Sequence, residues 1–283
     1  MIAARAFLSV ALLCGSVPTA LAQSAPPAPQ ASRWHLDGAT DRCVLTRELN
    51  GPAGAATFVL RTIPGSGRYE VLLAGGQLAD NFRRRAEVAR IGFGTGPDMA
   101  EAAVSAIDLP GRLGRGLVVG PLGRDFVASF AKGSAFRLAG KDGRELGSWT
   151  IPTGAKAAEA MAFCELEKQV EWGADRALFA PGATPPRPMK DPRTWVTRRD
   201  FGISQAYTSA IYTAMFRMTV DETGKASACS LMEYAGNVPE AKTHLCNALM
   251  SSARFEPARD AAGKPIRSIF INGITVETST EFR

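Results

Sequence analysis

Few residues of this chain have the type and spacing for chemistry. TGKAS at 223–227 carries the Gly-Lys pair of a phosphate-binding loop. That loop needs a Gly five residues before the pair and a Ser or Thr directly after the Lys. Here Thr219 stands at the first place and Ala226 follows Lys225. GFGTG at 92–96 lacks the GxGxxG spacing of a dinucleotide loop and reads as a glycine-rich turn. Only two histidines are present. His35 sits beside Trp34 and reads as a surface or packing residue. His244 falls on a helix where a solvated imidazole is ordinary. No GxSxG, HExxH or Cys/His pairing offers a nucleophile and base. No CxxC offers a metal site. The expectation is a protein without catalytic residues, cofactor or metal. The carboxylates are plentiful but unpatterned, so an exported carboxylate-based hydrolase is the enzymatic alternative.

Cysteines carry the clearer chemistry. Of five, Cys14 lies in a leader: Arg5, an apolar run at 6–17, and Ala20-Leu21-Ala22 as a small-x-small cleavage site. The apolar run is short and Pro18 interrupts it. Cys43, Cys164, Cys229 and Cys246 remain, an even number in an exported chain, which implies disulfides. Three pairings exist, and sequence neighbourhood favours Cys43–Cys164 and Cys229–Cys246. The formal charge of +6 comes from dispersed Arg and Lys, with RRR at 83–85 as the one tight cluster. Such scatter fits a basic soluble surface rather than a nucleic-acid site.

The elements that position these residues follow from periodicity. After the leader, 23–33 is a Pro/Ala spacer. A β-rich domain of unassigned role spans 34–178. Its strands are expected at 41–49, 57–63 and 68–73, with a hairpin at 136–139 and 145–151 around Lys141-Asp142-Gly143. A helix is expected over 155–172, ended by Gly173. The segment 179–193 is a Pro-rich linker. A small domain at 194–283 follows, reading strand, strand, helix, strand. Phe216, Met218 and Val220 alternate with Arg217 and Thr219, and Asp221–Gly224 is turn chemistry. Asn237, Pro239 and Glu240 form a helix start whose apolar stripe is Ala241, Leu245, Ala248 and Leu249. If Cys229 meets the helical Cys246, then Leu231 shares the helix side of the sheet. A long last strand begins at Ile266. The fold class is α+β.

FRMTVDETGKASAC, SSARFEPARDAAGKP and IFINGITVE occur in that order and at suitable spacing. Together they make the last 70 or so residues similar to the C-terminal domain of the TonB energy-transducer family. The resemblance implies a periplasmic domain that captures a short peptide of an outer-membrane receptor as an added strand, without catalysis. Three features depart from that family. Phe201-Gly202 stands where the family has Tyr-Pro, and the leader lacks the coupling His. The spacer reaches only about 30 Å. The expected function is thus a periplasmic binding protein whose partner is a TonB-dependent receptor or another envelope protein. A membrane-anchored transducer with an uncleaved leader is the alternative. The expected binding strand comprises Ile266, Arg267, Ser268, Ile269, Phe270, Ile271, Asn272, Gly273 and Ile274, continuing to Val276. Ile269 and Ile271 fall on one face, and Ile266, Phe270 and Ile274 on the other. Cleavage after Ala22 should leave a native protein whose intact mass lacks residues 1–22. A mass that retains them, with the protein in the membrane fraction, would select the anchored alternative.

Overall fold

Period-two alternation builds most of the first half. In β2 (Cys43–Leu49), Cys43, Leu45, Arg47 and Leu49 point inward. In β3 (Ala56–Thr62), Ala56, Phe58 and Leu60 do the same. The computed structural model describes residues 33–38, 41–52, 54–75, 78–94, 98–109, 114–201, 210–235 and 241–278. The expected leader, the spacer up to residue 32, and Asn237, Pro239 and Glu240 of the expected helix start lie outside the described residues. Among the described residues no helix is long and apolar enough to cross a membrane.

Among the described residues the fold is mixed and strand-rich, with three α-helices, compatible with the α+β class. Besides β2 and β3, one sheet contains β1 (His35–Asp37), β4 (Tyr69–Ala74), β5 (Glu87–Phe93), β6 (Ala100–Asp108), β7 (Arg115–Leu122), β8 (Ala135–Ala139) and β9 (Glu145–Thr150). All neighbours are antiparallel, in the order β1-β2-β3-β4-β7-β6-β5-β8-β9. The sheet curls until its far end meets its beginning. The Thr150 N–H donates to the Asn50 carbonyl at 3.1 Å, just past the end of β2. The Trp34 indole N–H donates to the Pro152 carbonyl at 2.9 Å. Gly51 makes this closure possible, because a side chain there would run into the Ser148 carbonyl.

A curled sheet needs filling. Helix α1 (Arg124–Lys132) supplies Phe126 and Phe130, four residues apart and so on one face. The Phe130 ring stacks on Phe58 at 6.0 Å, and Phe136, Phe93 and Trp34 surround the pair edge-on or tilted. Each such burial contributes roughly 1.5–3 kcal/mol. Helix α2 (Gly154–Glu171) packs on α1 and buries Ala157, Met161 and Cys164, an i, i+4, i+7 stripe. Its end at Trp172 and the positive φ of Gly173 (+105°) match the expected stop.

The Pro-rich segment is docked rather than free. Within it, β10 (Arg187–Pro188) pairs with β13 (Phe255–Glu256), and Thr184 bridges to Arg259. Then β11 (Ala210–Val220) and β12 (Ala226–Ala235) form the expected hairpin. Gly224 turns it at φ +81°, where any side chain would strike the Phe255 carbonyl. Helix α3 (Ala241–Ser252) buries Leu245 and Leu249. After it, β13 and β14 (Ala258–Arg259) lead through β15 (Pro265–Ile266), which pairs with β14, into β16 (Ser268–Thr278). The second sheet has the order β12-β11-β16. Its core joins Phe216, Met218, Leu245, Leu249 and Phe255 to Trp195, Val196 and Phe201 from before the hairpin. The contacts gather Ser32–Arg283 into one compact unit around two hydrophobic cores.

Both favoured disulfides form. Cys43 on β2 joins Cys164 on α2, with Cα atoms 6.1 Å apart, and Cys229 on β12 joins Cys246 on α3, at 5.6 Å. Leu231 shares the core side with Cys229, as alternation required. The second bridge spans 17 residues. Cys246→Ala should therefore lower stability by about 2–4 kcal/mol. Denaturant melts of the variant, beside non-reducing peptide maps of the native chain, check this. Free thiols at all four positions in the map would overturn it.

Candidate partner-binding edge

β16 forms because β-branched and aromatic residues dominate SIFINGITVET and none is Pro. Among the described residues it pairs with β11 alone, in an unbroken antiparallel register from Ala210↔Thr278 to Val220↔Ser268. One main-chain edge of β16 is therefore unpaired within its sheet. β12 is the other edge strand, but its ladder with β11 carries two register shifts. Such irregularities, like bulges, twist an edge and blunt it for pairing.

The expected run from Ile266 to Val276 is not one strand. Ile266 belongs to the short β14–β15 ladder and is buried there. Arg267 stands between the two strands. Its carbonyl accepts from the Asp175 N–H at 2.9 Å, and its guanidinium lies 3.9 Å from the Glu222 carboxylate. The chain needs this break because Gly263 turns it back onto β14 before it can join β11. Ser268, Ile269, Phe270, Ile271, Asn272, Gly273 and Ile274 all lie on β16.

The two faces of β16 differ. Phe270, Ile274 and Val276 turn to the second core. The Phe270 ring meets Phe255 at 4.9 Å and Trp195 at 5.9 Å, so the 3-10 turn Pro192–Thr194 rather than α3 lies against this strand. Ile269, Ile271 and Gly273 turn the other way, toward the first sheet and α2. A methyl built on Gly65 would sit 3.2 Å from Ile271. Arg217, on the same face of β11, lays its guanidinium over the Trp172 ring at 4.4 Å from the centroid. Asp41 lies 3.8 Å from Arg217 Nη1, near enough to pair as an ion but not to hydrogen-bond, and this Nη1 has no other hydrogen-bond partner. Arg42 pairs with Glu233 of β12 on the same side.

Under that contact lies a buried acid. The Tyr69 hydroxyl donates to Glu165 Oε1 at 2.7 Å, and the Gly65 N–H donates to Oε2 at 3.4 Å. Burial pushes the Glu165 carboxyl above the ordinary carboxylate range. The Tyr69 and Gly65 hydrogen bonds and the nearby Arg124 pull the other way. Burial first, and then Glu165, raise the Tyr69 hydroxyl well above the usual phenol range.

The other candidates for chemistry do not assemble. His35 and His244 are both exposed and lie on different sheets' surroundings, β1 and α3. A cleft of ≈ 690 Å³ opens between β5, β6 and α1, lined by Phe93, Met99 and Phe126 with Asp98, Glu101 and Asp125. Neither His nor Cys lines it. Among the described residues no cluster of His, Cys, Asp and Glu could hold a metal. Arg68, Trp172 and Trp195, which lie against β16 and β11, are marked by no motif in the sequence. A lone Trp after a helix and another after a Pro-rich segment were the available signals, since a large ring there must find cover. No protein-family model matches the chain, and neither a curated protein nor a solved structure gives a significant match.

Glu165 makes this junction sensitive to pH. The folded chain holds the Glu165 proton more tightly than the unfolded chain does. Its stabilising contribution is full below the unfolded pKa and is lost as pH rises through the raised folded value. Glu165→Gln keeps the hydrogen-bonding shape without titrating. The stability of the native chain relative to this variant should fall as pH rises from about 4, the ordinary carboxylate value, through the raised folded value. Urea midpoints of both proteins across that window test it, and a constant difference would refute it.

Proposed function

We propose that this chain is an exported periplasmic binding protein whose C-terminal sheet captures a partner peptide as an added strand along β16. One observation carries the reading. Among the described residues the eleven-residue β16 pairs within its sheet on one side only, while both side-chain faces of its Ser268–Ile274 stretch are buried or half-buried. A partner meeting β16 must then meet main-chain N–H and C=O groups, which is the requirement of strand addition. The resemblance of the last 70 or so residues to the C-terminal domain of TonB energy transducers supports the same mode. So does the observed order β11, β12, α3, β16. Two disulfides agree with an oxidising compartment such as the periplasm. The partner is a peptide segment of an outer-membrane receptor or of another envelope protein.

Along an edge strand, successive N–H groups point alternately into the sheet and out to the free edge, and Pro has none to offer. Ser268→Pro and Ile269→Pro should therefore behave differently. One loses an internal ladder bond and a large part of its stability. The other loses an outward donor, folds nearly normally, and weakens binding of a receptor-derived peptide by roughly 1 kcal/mol or more. Thermal melts and peptide titrations of both variants check this. If both fold and bind like the native protein, or both unfold alike, the edge assignment fails.

A further inference from the structure

The free edge of β16 runs between two walls. On the core side stands the turn Pro192–Thr194, which lies against β16 and carries exposed Arg193 beside exposed Lys190. On the other side stands the β3–β4 turn of the first sheet. That turn is held from several directions. The Thr62 hydroxyl donates to the Arg68 carbonyl at 2.7 Å, the Ser66 hydroxyl accepts from the Arg68 N–H at 3.1 Å, and the Ser66 N–H donates to the Ile63 carbonyl at 3.0 Å. The Gly65 N–H is anchored on Glu165.

Arg68 projects from this turn over β16. A methyl built on Gly273 would lie 3.6 Å from Arg68 Nη1. A longer side chain at 273 would occupy the guanidinium's place, so Gly273 leaves the cation room against the strand. Among the described residues Arg68 has no carboxylate within ion-pair distance, although the chain's other junction cations Arg42, Arg217 and Arg267 each have one. Arg124 lies behind it, 3.4 Å from where a Gly67 side chain would begin, and acts on the buried Glu165. The position opposite Gly273 on an added strand is thus flanked by an exposed, unpaired guanidinium on a rigid turn.

We infer that Arg68 reads the incoming strand, and that this edge selects an extended acidic peptide whose carboxylate falls opposite Gly273. The inference rests on strand addition at β16. Cross-strand opposite charges and partly exposed ion pairs set the size of the effect, and Arg supplies a fork that suits a carboxylate. The exposed Lys190 adds a general attraction for the same sign of charge, whereas Arg193 lies 3.8 Å from the Asp191 carboxylate and is offset by it.

The test uses the full exported chain and three fluorescein-labelled eleven-residue probes of alternating Val and Thr, with Glu, Gln or Lys at the centre. Anisotropy gives affinity, and hydrogen exchange gives protection of the β16 amides. The Glu probe should bind about three- to fivefold tighter than the Gln probe. Arg68→Gln, a surface change, should abolish that ratio, and Arg68→Glu should turn the preference toward the Lys probe. Equal affinities for Glu and Gln probes, with β16 protected in both cases, would overturn the reading of charge and leave strand addition standing. A Glu preference that persists in Arg68→Gln would overturn the role of Arg68. Absence of binding and of β16 protection with all three probes would overturn strand addition and this inference together.

Discussion

A three-stranded sheet has two faces, and α3 with the segment before β11 can cover only one of them. The other face, carrying Arg217, Ile269 and Ile271, has to be covered by something else. In this chain it is covered by the end of α2 and the loops beside β2 and β3. The contact of the Arg217 guanidinium with the Trp172 ring fixes that arrangement. Such a contact is worth roughly 0.5–2 kcal/mol. Arg217 can neither enter an apolar core cheaply nor stay fully hydrated beneath α2, so the ring face and the distant Asp41 together replace its lost water.

From that constraint the proposed mode of recognition follows. With both faces of Ser268–Ile274 largely covered, this stretch of β16 would present a partner mainly with backbone groups. The chain already uses this kind of pairing internally. Thr184–Met189 runs antiparallel to Arg254–Arg259 through β10–β13, the Thr184–Arg259 bridge and the Met189 N–H to Arg254 carbonyl bond. Pro188 is tolerated there because it sits on an edge. The segment that reads as a linker by its prolines thus behaves as a short added strand.

What the sequence made legible was local. The β11–β12 hairpin, α2 and the β8–β9 hairpin stood out because their periodicity, turn glycines and stop signals all agree within some twenty residues. β6 did not, since AEAAVSAID buries Ala102, Val104 and Ala106 as a strand although alanine favours helix. Pairing with β5 and β7 overrides that propensity. α1 is nine residues long, too short to declare itself before Phe126 and Phe130 find Phe93 and Phe58. The cysteine pairing was legible because neighbourhood limits the choices. The break at Arg267 was not, since IRSIFI reads as one β-prone run and only the β14–β15 ladder divides it. Alternation put Arg217 and Thr219 on a polar face, and only the fold reveals that Trp172 covers part of it.

The junction also gives the first sheet a physical part in the candidate site. The β3–β4 turn touches both the interior of the first core and the β16 strand. Inward, Tyr69 buries its ring and hydrogen-bonds Glu165, and Gly65 hydrogen-bonds the same carboxylate. Outward, Gly65 abuts Ile271 and Arg68 lies over Gly273. Gln169, one turn after Glu165 on α2, packs against Gly65 as well. The disulfide between Cys43 and Cys164 holds α2 to β2 one residue from Glu165, so the helix that carries the acid cannot drift from the sheet that carries the turn. A wall built this way costs little to organise when a strand arrives, because its geometry is set by a core packed before the partner is present. In the proposed mode the three-stranded sheet would supply the edge, and the turn of the nine-stranded sheet would lie beside it.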